Sequence, residues 1–186
     1  MLVDAMLEEL VKVSEFLSKK GYAPATNGNF SARIDDKSLV IGGAKKDKSA
    51  FTKHDVVICD FQGNLLSGDS NACTTTYLHG LIYQLSPYTN CILQSHSKAI
   101  QVLSRLNQKQ QKMILQDDCT ILIFENNALL ADNIKLHWQA LNQARAFIVQ
   151  GNGLYSWGLT VLDAKCQMEK IEFLADCELA YQLINQ

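Results

Sequence analysis

A short turn near the start of the chain carries side chains that could bind a phosphate group. Residues 26–29 read Thr-Asn-Gly-Asn, and the glycine lets the backbone approach a ligand closely. Thr26, Asn27 and Asn29 place neutral hydrogen-bonding groups beside exposed amides, a combination that suits a phosphate. A tight turn capped by its own Asn and Thr side chains has the same composition, so both interpretations stay open at this point.

The histidines and cysteines do not form a metal motif by spacing alone. The chain has four histidines, and neither His54, His79 nor His137 lies at metal-ligand spacing from His96. An isolated histidine at the end of a strand is most often held by hydrogen bonds. The six cysteines are dispersed without a C-x-x-C pair, which favours buried free thiols over a zinc or redox motif.

Composition indicates an ordinary globular protein. With 186 residues, of which 47% are hydrophobic and 19% charged, the chain can bury a sizeable core, and we expect one domain over residues 1–186. The formal net charge is -2, and apart from Lys45, Lys46 and Lys48 the basic residues are scattered. This pattern argues against nucleic acid as a partner.

The start of the chain and its hydropathy argue against export and against a membrane. Asp4, Glu8 and Glu9 interrupt the apolar positions of the first ten residues, which is unlike a secretion signal. No stretch approaches the roughly 18 uninterrupted apolar residues that cross a bilayer. We therefore expect a cytoplasmic protein without a membrane partner.

The hydrophobic pattern alternates between helical and strand periods. Three- and four-residue spacing predicts a first helix over residues 2–17, and short apolar runs between turn residues predict antiparallel hairpins from Phe30 to Leu66. No clean repeat of strand and helix is visible, so a mixed or mostly antiparallel α/β sandwich is predicted. The remaining predicted elements are helices at 75–85, 99–106, 128–141 and 162–184 and strands at 91–93, 120–124 and 146–149.

Three segments of the chain are similar to blocks of one known family. They are 23–33 (APATNGNFSAR), 93–97 (LQSHS) and 151–158 (GNGLYSWG). Each resembles a block of the class II aldolase/adducin family, and the tail at 172–179 (EFLADCEL) resembles the closing helix of its methylthioribulose-1-phosphate dehydratase branch. The spacing of fifteen residues between His79 and Gln94 also matches that branch.

The resemblance implies a fold, a substrate class and an assembly. The expected fold is an α/β/α sandwich around a mostly antiparallel sheet, and the expected ligand is a small phosphorylated sugar of methionine salvage. Family active sites lie between subunits, which implies a homotetramer. By the same resemblance the phosphate would be held by Thr26 and Asn29, together with Lys46 and Lys48. A Ser-Gly pair of the family's phosphate site is replaced here by Ala44 and Lys45.

The resemblance also assigns three metal positions. Relatives hold zinc with a His-x-His pair and a later histidine, because three neutral imidazoles leave an open position that polarises a substrate oxygen. In this chain the three positions are Gln94, His96 and Asn152. Carboxamide oxygens are weak uncharged donors, so we expect zinc to bind less tightly than to three histidines.

The acid and base positions of the family differ here as well. The position of a family Glu is Thr75, and a threonine cannot transfer protons near neutral pH. About fifteen residues of the relatives are missing between Leu106 and Ile121, including most of the segment with their second Glu. Asp117 or Asp118 could replace that carboxylate, and a solvated turn is the alternative for this pair.

Two functions follow from these observations. The first is a metal-dependent lyase that dehydrates methylthioribulose 1-phosphate, with His96 as metal ligand and Asp117 or Asp118 as base. The second is a non-catalytic protein that keeps the fold, the oligomer and a phosphosugar pocket. The replaced side chains favour the second, and the similarity along the chain favours the first.

Overall fold

The computed structural model describes residues 2–116 and 119–185, which form six α-helices and nine β-strands. The helices are α1 (Leu2–Lys19), α2 (Thr76–Leu85), α3 (Lys98–Leu106), α4 (Leu130–Leu136), α5 (Trp138–Ala144) and α6 (Val161–Ile184). The strands are β1 (Asn29–Arg33), β2 (Ser38–Gly42), β3 (Val56–Asp60), β4 (Leu65–Ser67), β5 (Cys91–Ser95), β6 (Lys112–Ile114), β7 (Thr120–Phe124), β8 (Ala146–Val149) and β9 (Gly153–Gly158).

All nine strands of the described chain belong to one sheet. Their order is β4-β3-β2-β1-β5-β9-β8-β7-β6. Among the described strands, neighbours run antiparallel except for β7 and β8, which are parallel. The strands β1, β5 and β9, which carry the three segments singled out in the sequence, are neighbours at the centre.

Helices cover both faces of this sheet because successive strand residues point to opposite sides. One hydrophobic cluster packs α1, α3 and α6 on the face that includes Phe30 and Leu93. The other packs α2, α4 and α5 on the face that includes Ile92, Tyr155 and Trp157. These layers confirm the predicted α/β/α sandwich with a mostly antiparallel sheet.

Local chemistry explains where the last helix begins. Thr160 accepts a hydrogen bond from the Asp163 amide at 3.0 Å, and the Asp163 carboxylate accepts one from the Thr160 amide at 3.0 Å. This reciprocal cap satisfies two amides that have no partner within the helix. No helix of the described chain combines the length and the apolar character needed to cross a membrane.

The predicted elements agree with the structure except in four places. The helix predicted over 128–141 is two helices, α4 and α5, which meet at His137. The strand β9 was not predicted, because its small and polar residues break the apolar pattern. The three-residue strands β4 and β6 are short sheet-edge strands that give too little periodicity to be recognised.

Candidate functional site

A row of three polar side chains crosses the centre of the sheet at one end of its strands. Asn29 on β1 is the register partner of Gln94 on β5, and Gln94 is the register partner of Tyr155 on β9. Strand alternation places all three side chains on the face covered by α2. The pairing therefore brings together residues that lie 65 and 61 positions apart in the chain.

The Thr-Asn-Gly-Asn turn is fixed against the centre of the sheet. Gly28 has a φ of +80°, and a Cβ atom there would lie 2.9 Å from the Gln94 carbonyl oxygen. A glycine is needed at this position for both reasons. Asn29 is buried, and its Oδ1 accepts a hydrogen bond from the Phe30 amide at 3.0 Å, whereas Thr26 is exposed to solvent.

The loop at 44–48, which contains three lysines, lies directly beside this turn. The Lys48 amide donates to the Ala25 carbonyl at 2.9 Å, and the Ser14 hydroxyl donates to the Lys48 carbonyl at 3.0 Å. These bonds link the turn, the loop and α1. The segment with Thr26 and Asn29 therefore lies beside the loop with Lys46 and Lys48.

Lys48 is a buried cation in this site. Its side chain is 2% exposed, its ammonium donates to the Lys46 carbonyl at 3.1 Å, and it lies 5.4 Å from the Phe51 ring centre. Burial lowers the pKa of Lys48 below its ordinary value, while nearby Cys73, Asp55 and Asp47 act in the opposite direction. A buried ammonium is stabilised by any anion that reaches it.

Lys46 contributes to the wall of a cavity. Its ammonium forms an ion pair with Asp55 at 3.1 Å. The cavity has a volume of about 630 Å³, and Lys45, Lys46 and Ser70 contribute to its wall. This volume is within the usual range for small-molecule sites, roughly 300 to 1,000 Å³.

The two carboxamides at the predicted metal positions bond to each other. Gln94 Nε2 donates to the Asn152 carbonyl at 2.7 Å and to Asn152 Oδ1 at 2.9 Å. Asn152 Nδ2 in turn lies 3.1 Å from the Tyr155 hydroxyl oxygen, to which it donates. Tyr155 also bonds to Thr75, the position of the predicted acid/base loss. The result is a connected chain of hydrogen bonds from β5 to the start of α2.

Tyr155 and Cys73 complete this chain of polar groups. Burial raises the pKa of the Tyr155 phenol above its ordinary value, so the phenol stays protonated at neutral pH. The Cys73 thiol lies 3.3 Å from the Thr75 hydroxyl. Sequence reasoning assigned no role to either residue, although Tyr155 belongs to the 151–158 block and Cys73 is two positions before Thr75.

His96 lies next to the carboxamide pair, directly after β5. Its amide donates to the Tyr22 carbonyl at 2.7 Å, and its Nδ1 is 3.4 Å from the Asn152 carbonyl oxygen. The imidazole is half-buried. The three predicted metal positions are thus adjacent, as their spacing in relatives implied.

Their donor set does not fit a tight zinc site. One imidazole is combined with two carboxamides, and Asn152 Oδ1 is already engaged as a hydrogen-bond acceptor. Across residues 2–116 and 119–185, no group of three or more His, Cys, Asp or Glu side chains could hold a metal ion. Amide oxygens are poor zinc ligands, so the residues present favour hydrogen bonding over coordination.

The other titratable candidates are Asp117, Asp118 and three further histidines. Asp117 and Asp118 fall outside the described residues. His54 and His137 are exposed, and His79 is fully buried in α2, where its Nδ1 is 2.7 Å from the Ser31 hydroxyl. The structure therefore assigns His79 a structural position beneath the site, as its place within a helix suggested.

The sequence is similar to curated enzymes over its whole length. Residues 8–179 match the family described as "Class II Aldolase and Adducin N-terminal domain". A methylthioribulose-1-phosphate dehydratase of Serratia proteamaculans is 32% identical over 203 residues, covering 100% of this chain and 99% of that protein. A dehydratase of the same name from Cronobacter sakazakii is 32% identical and covers 98% of both chains.

The fold is similar to that of a solved sugar-phosphate enzyme. The L-fuculose-1-phosphate aldolase of Thermus thermophilus superposes with a TM-score of 0.79 and covers 98% of this chain and 97% of that chain. The sequence identity of this pair is 20%, so the likeness concerns the fold.

Proposed function

This chain belongs to the class II aldolase and adducin family, and from that premise we propose that it binds a small phosphorylated sugar without metal-dependent turnover. The ligand site is the end of β1, β5 and β9, together with the loop at 44–48. The ligand class follows from the dehydratases and aldolases to which the chain is similar. Methylthioribulose 1-phosphate is the first ligand to test.

The observation that carries this proposal is the bond between the two carboxamides. Gln94 donates both to the backbone and to the side chain of Asn152, and Asn152 donates to Tyr155. Coordination of a metal by Asn152 Oδ1 would compete with the Gln94 bond. Where relatives have metal-binding histidines, this chain has two amides. In place of a metal, these amides form a fixed set of hydrogen bonds.

The phosphate half of the site supports binding. Thr26, Asn29, Lys46 and Lys48 lie on two segments that are joined by the Ala25 to Lys48 hydrogen bond. A phosphate would meet a buried ammonium in a setting where charge-assisted bonds are strong. An ammonium has three N–H donors, and the bond of Lys48 to the Lys46 carbonyl engages one of them.

The part of the site around Thr75 and Tyr155, where a proton would be transferred, lacks a carboxylate among the described residues. Thr75 bonds to Tyr155, whose phenol stays protonated, so neither group can remove a proton from carbon near neutral pH. Loss of such a group costs about 10² to 10⁴ in rate. Slow or absent dehydration follows from this loss together with weak zinc binding.

A second candidate function is the dehydration itself. It is favoured by identity of 32% over the full chain to named methylthioribulose-1-phosphate dehydratases. In that case His96, Gln94 and Asn152 would hold zinc, and Asp117 or Asp118 would act as the base. Zinc would supply the polarisation of the substrate oxygen.

We further propose one domain over 1–186, a cytoplasmic location and a homotetramer. The tetramer is supported by the resemblance, because the active sites of the family lie between subunits. Light scattering at micromolar concentration should give the tetramer mass, and a monomer would count against it.

Product formation separates the two candidates. Native protein, the Gln94→His/Asn152→His variant and the same variant with Thr75→Glu are assayed with methylthioribulose 1-phosphate and excess zinc. We expect native turnover far below the typical ~10 per second of an enzyme. The double variant should regain zinc binding without a rise in turnover. Turnover should rise only in the triple variant. Native turnover within about tenfold of the typical value would establish the dehydratase instead.

A further inference from the structure

A buried carboxyl lies behind the site, on the opposite face of the sheet. Glu172 on α6 has no exposed surface. Its Oε1 accepts a short hydrogen bond from the Ser95 hydroxyl, and a second bond comes from the Ser97 side chain. These two serines stand on either side of His96.

Strand alternation explains this arrangement. Gln94 points to the α2 face, so Ser95 points to the α6 face, and Glu172 meets it there. Ser97 is the N-cap residue of α3, and its hydroxyl accepts a hydrogen bond from the Ile100 amide at 3.2 Å. Glu172 therefore joins the end of β5 to the start of α3 across the residue between them.

A carboxyl in this position is costly for the fold. Its Oε2 is buried and has no hydrogen-bond partner among the described residues. Burial raises the pKa of Glu172 to about 7, the serine bonds act in the opposite direction, and the Asp176 carboxylate adds to the rise. A buried polar atom without a partner costs about 1 to 3 kcal/mol. The packing of α6 alone does not require this side chain, because a methionine or leucine of similar volume would cost less.

Besides the 3.4 Å approach of its Nδ1 to the Asn152 carbonyl oxygen, two contacts within the described chain help to define the position of His96. Its amide bonds to the Tyr22 carbonyl, and Gly153 lies against the Ser95 carbonyl, where a Cβ atom would clash. Both contacts fix the backbone, but neither fixes both sides of His96. The serine pair held by Glu172 does so.

We propose that Glu172 is a positioning residue that holds His96 in the ligand site through Ser95 and Ser97. The role in ligand binding rests on the proposed function, whereas the placement of His96 does not. Glutamine keeps an acceptor oxygen at the same reach, and aspartate is one methylene too short to meet both serines. Glu172→Gln should therefore preserve the arrangement, and Glu172→Asp should lose it.

NMR measures the surroundings of the His96 imidazole directly. The chain has only four histidines, so the Cε1–H signals of ¹³C-labelled imidazoles are few, and His96→Gln assigns the signal in question. Glu172→Asp and the Ser95→Ala/Ser97→Ala pair should shift the His96 signal and leave those of His54 and His137 in place. Glu172→Gln should stay close to the native spectrum. Asp176→Asn removes the neighbouring charge without touching the serines and is the matched control.

Ligand affinity is measured in the same variants. Titration with methylthioribulose 1-phosphate should show about tenfold weaker binding for Glu172→Asp, and a change within about threefold for Glu172→Gln. A His96 signal unchanged in folded Glu172→Asp and in the double alanine variant would overturn the proposal. Should the native protein not bind this sugar phosphate, the proposed function fails, and the NMR comparison still decides the role of Glu172.

Discussion

Two fully buried titratable side chains on opposite faces of the sheet should give the fold opposing pH dependences. Burial lowers the pKa of His79 from 6.5 to about 3. Burial raises the pKa of Glu172 from 4.5 to about 7. Each shift makes the free energy of unfolding depend on pH in the range where only one state, folded or unfolded, carries the proton.

The two contributions have opposite signs. His79 is neutral in the folded chain, so its contribution is present above pH 6.5 and is lost as the pH falls towards 3. Glu172 is protonated in the folded chain, so its contribution is present below pH 4.5 and is lost as the pH rises through 7. Each slope is about 1.4 kcal/mol per pH unit. Between pH 4.5 and 6.5 the two slopes cancel, and the native protein should show little change in stability.

Substitution of either residue should reveal the slope of the other. In Glu172→Gln the free energy of unfolding should rise by about 2 kcal/mol from pH 4.5 to pH 6.5. In His79→Gln it should fall by a similar amount, and the variant with both changes should again be flat. Urea unfolding at three pH values in this window measures the slopes, and the carboxylates with lowered pKa titrate below it. A Glu172→Gln slope as flat as the native one would refute the reasoning.

Two further predictions concern glycine packing and the phosphate turn. Gly80→Ala should lower the free energy of unfolding by about 3 kcal/mol or more, because a Cβ atom there would clash with the Phe61 carbonyl oxygen. Gly21 has a φ of +76° and open space around it, so Gly21→Ala should lower the free energy of unfolding by only about 1 kcal/mol. Asn29→Ala should weaken phosphosugar binding about tenfold in a calorimetric titration, while Asn27→Ala in the same turn should not, and equal affinities would make the turn merely structural.

The order of elements could be predicted from the sequence because most of the helices and strands have a clear apolar period. The strands β1, β2 and β3 and the last helix follow from such patterns. The break between α4 and α5 at His137 does not, because both halves keep apolar positions at helical spacing. Nor does β9, where Gly153 and Ser156 interrupt the alternation although the whole strand is buried.

The proximity of the three predicted metal positions could be predicted from the resemblance, but their hydrogen bonds could not. Gln94, His96 and Asn152 were grouped through the resemblance, and the structure brings them together. The bonds from Gln94 to Asn152 and on to Tyr155 depend on the register of β5 against β9, which no local pattern specifies. Glu172 was missed for the same reason, because its partner Ser95 is 77 residues away.

We propose that the site holds a phosphosugar by hydrogen bonds and charge rather than through a metal. Protein stripped with EDTA is titrated with methylthioribulose 1-phosphate by calorimetry, and the titration is repeated with one equivalent of zinc. We expect the same dissociation constant within about twofold in both experiments. Binding that appears only with zinc, or that tightens by about tenfold or more when zinc is added, would contradict it.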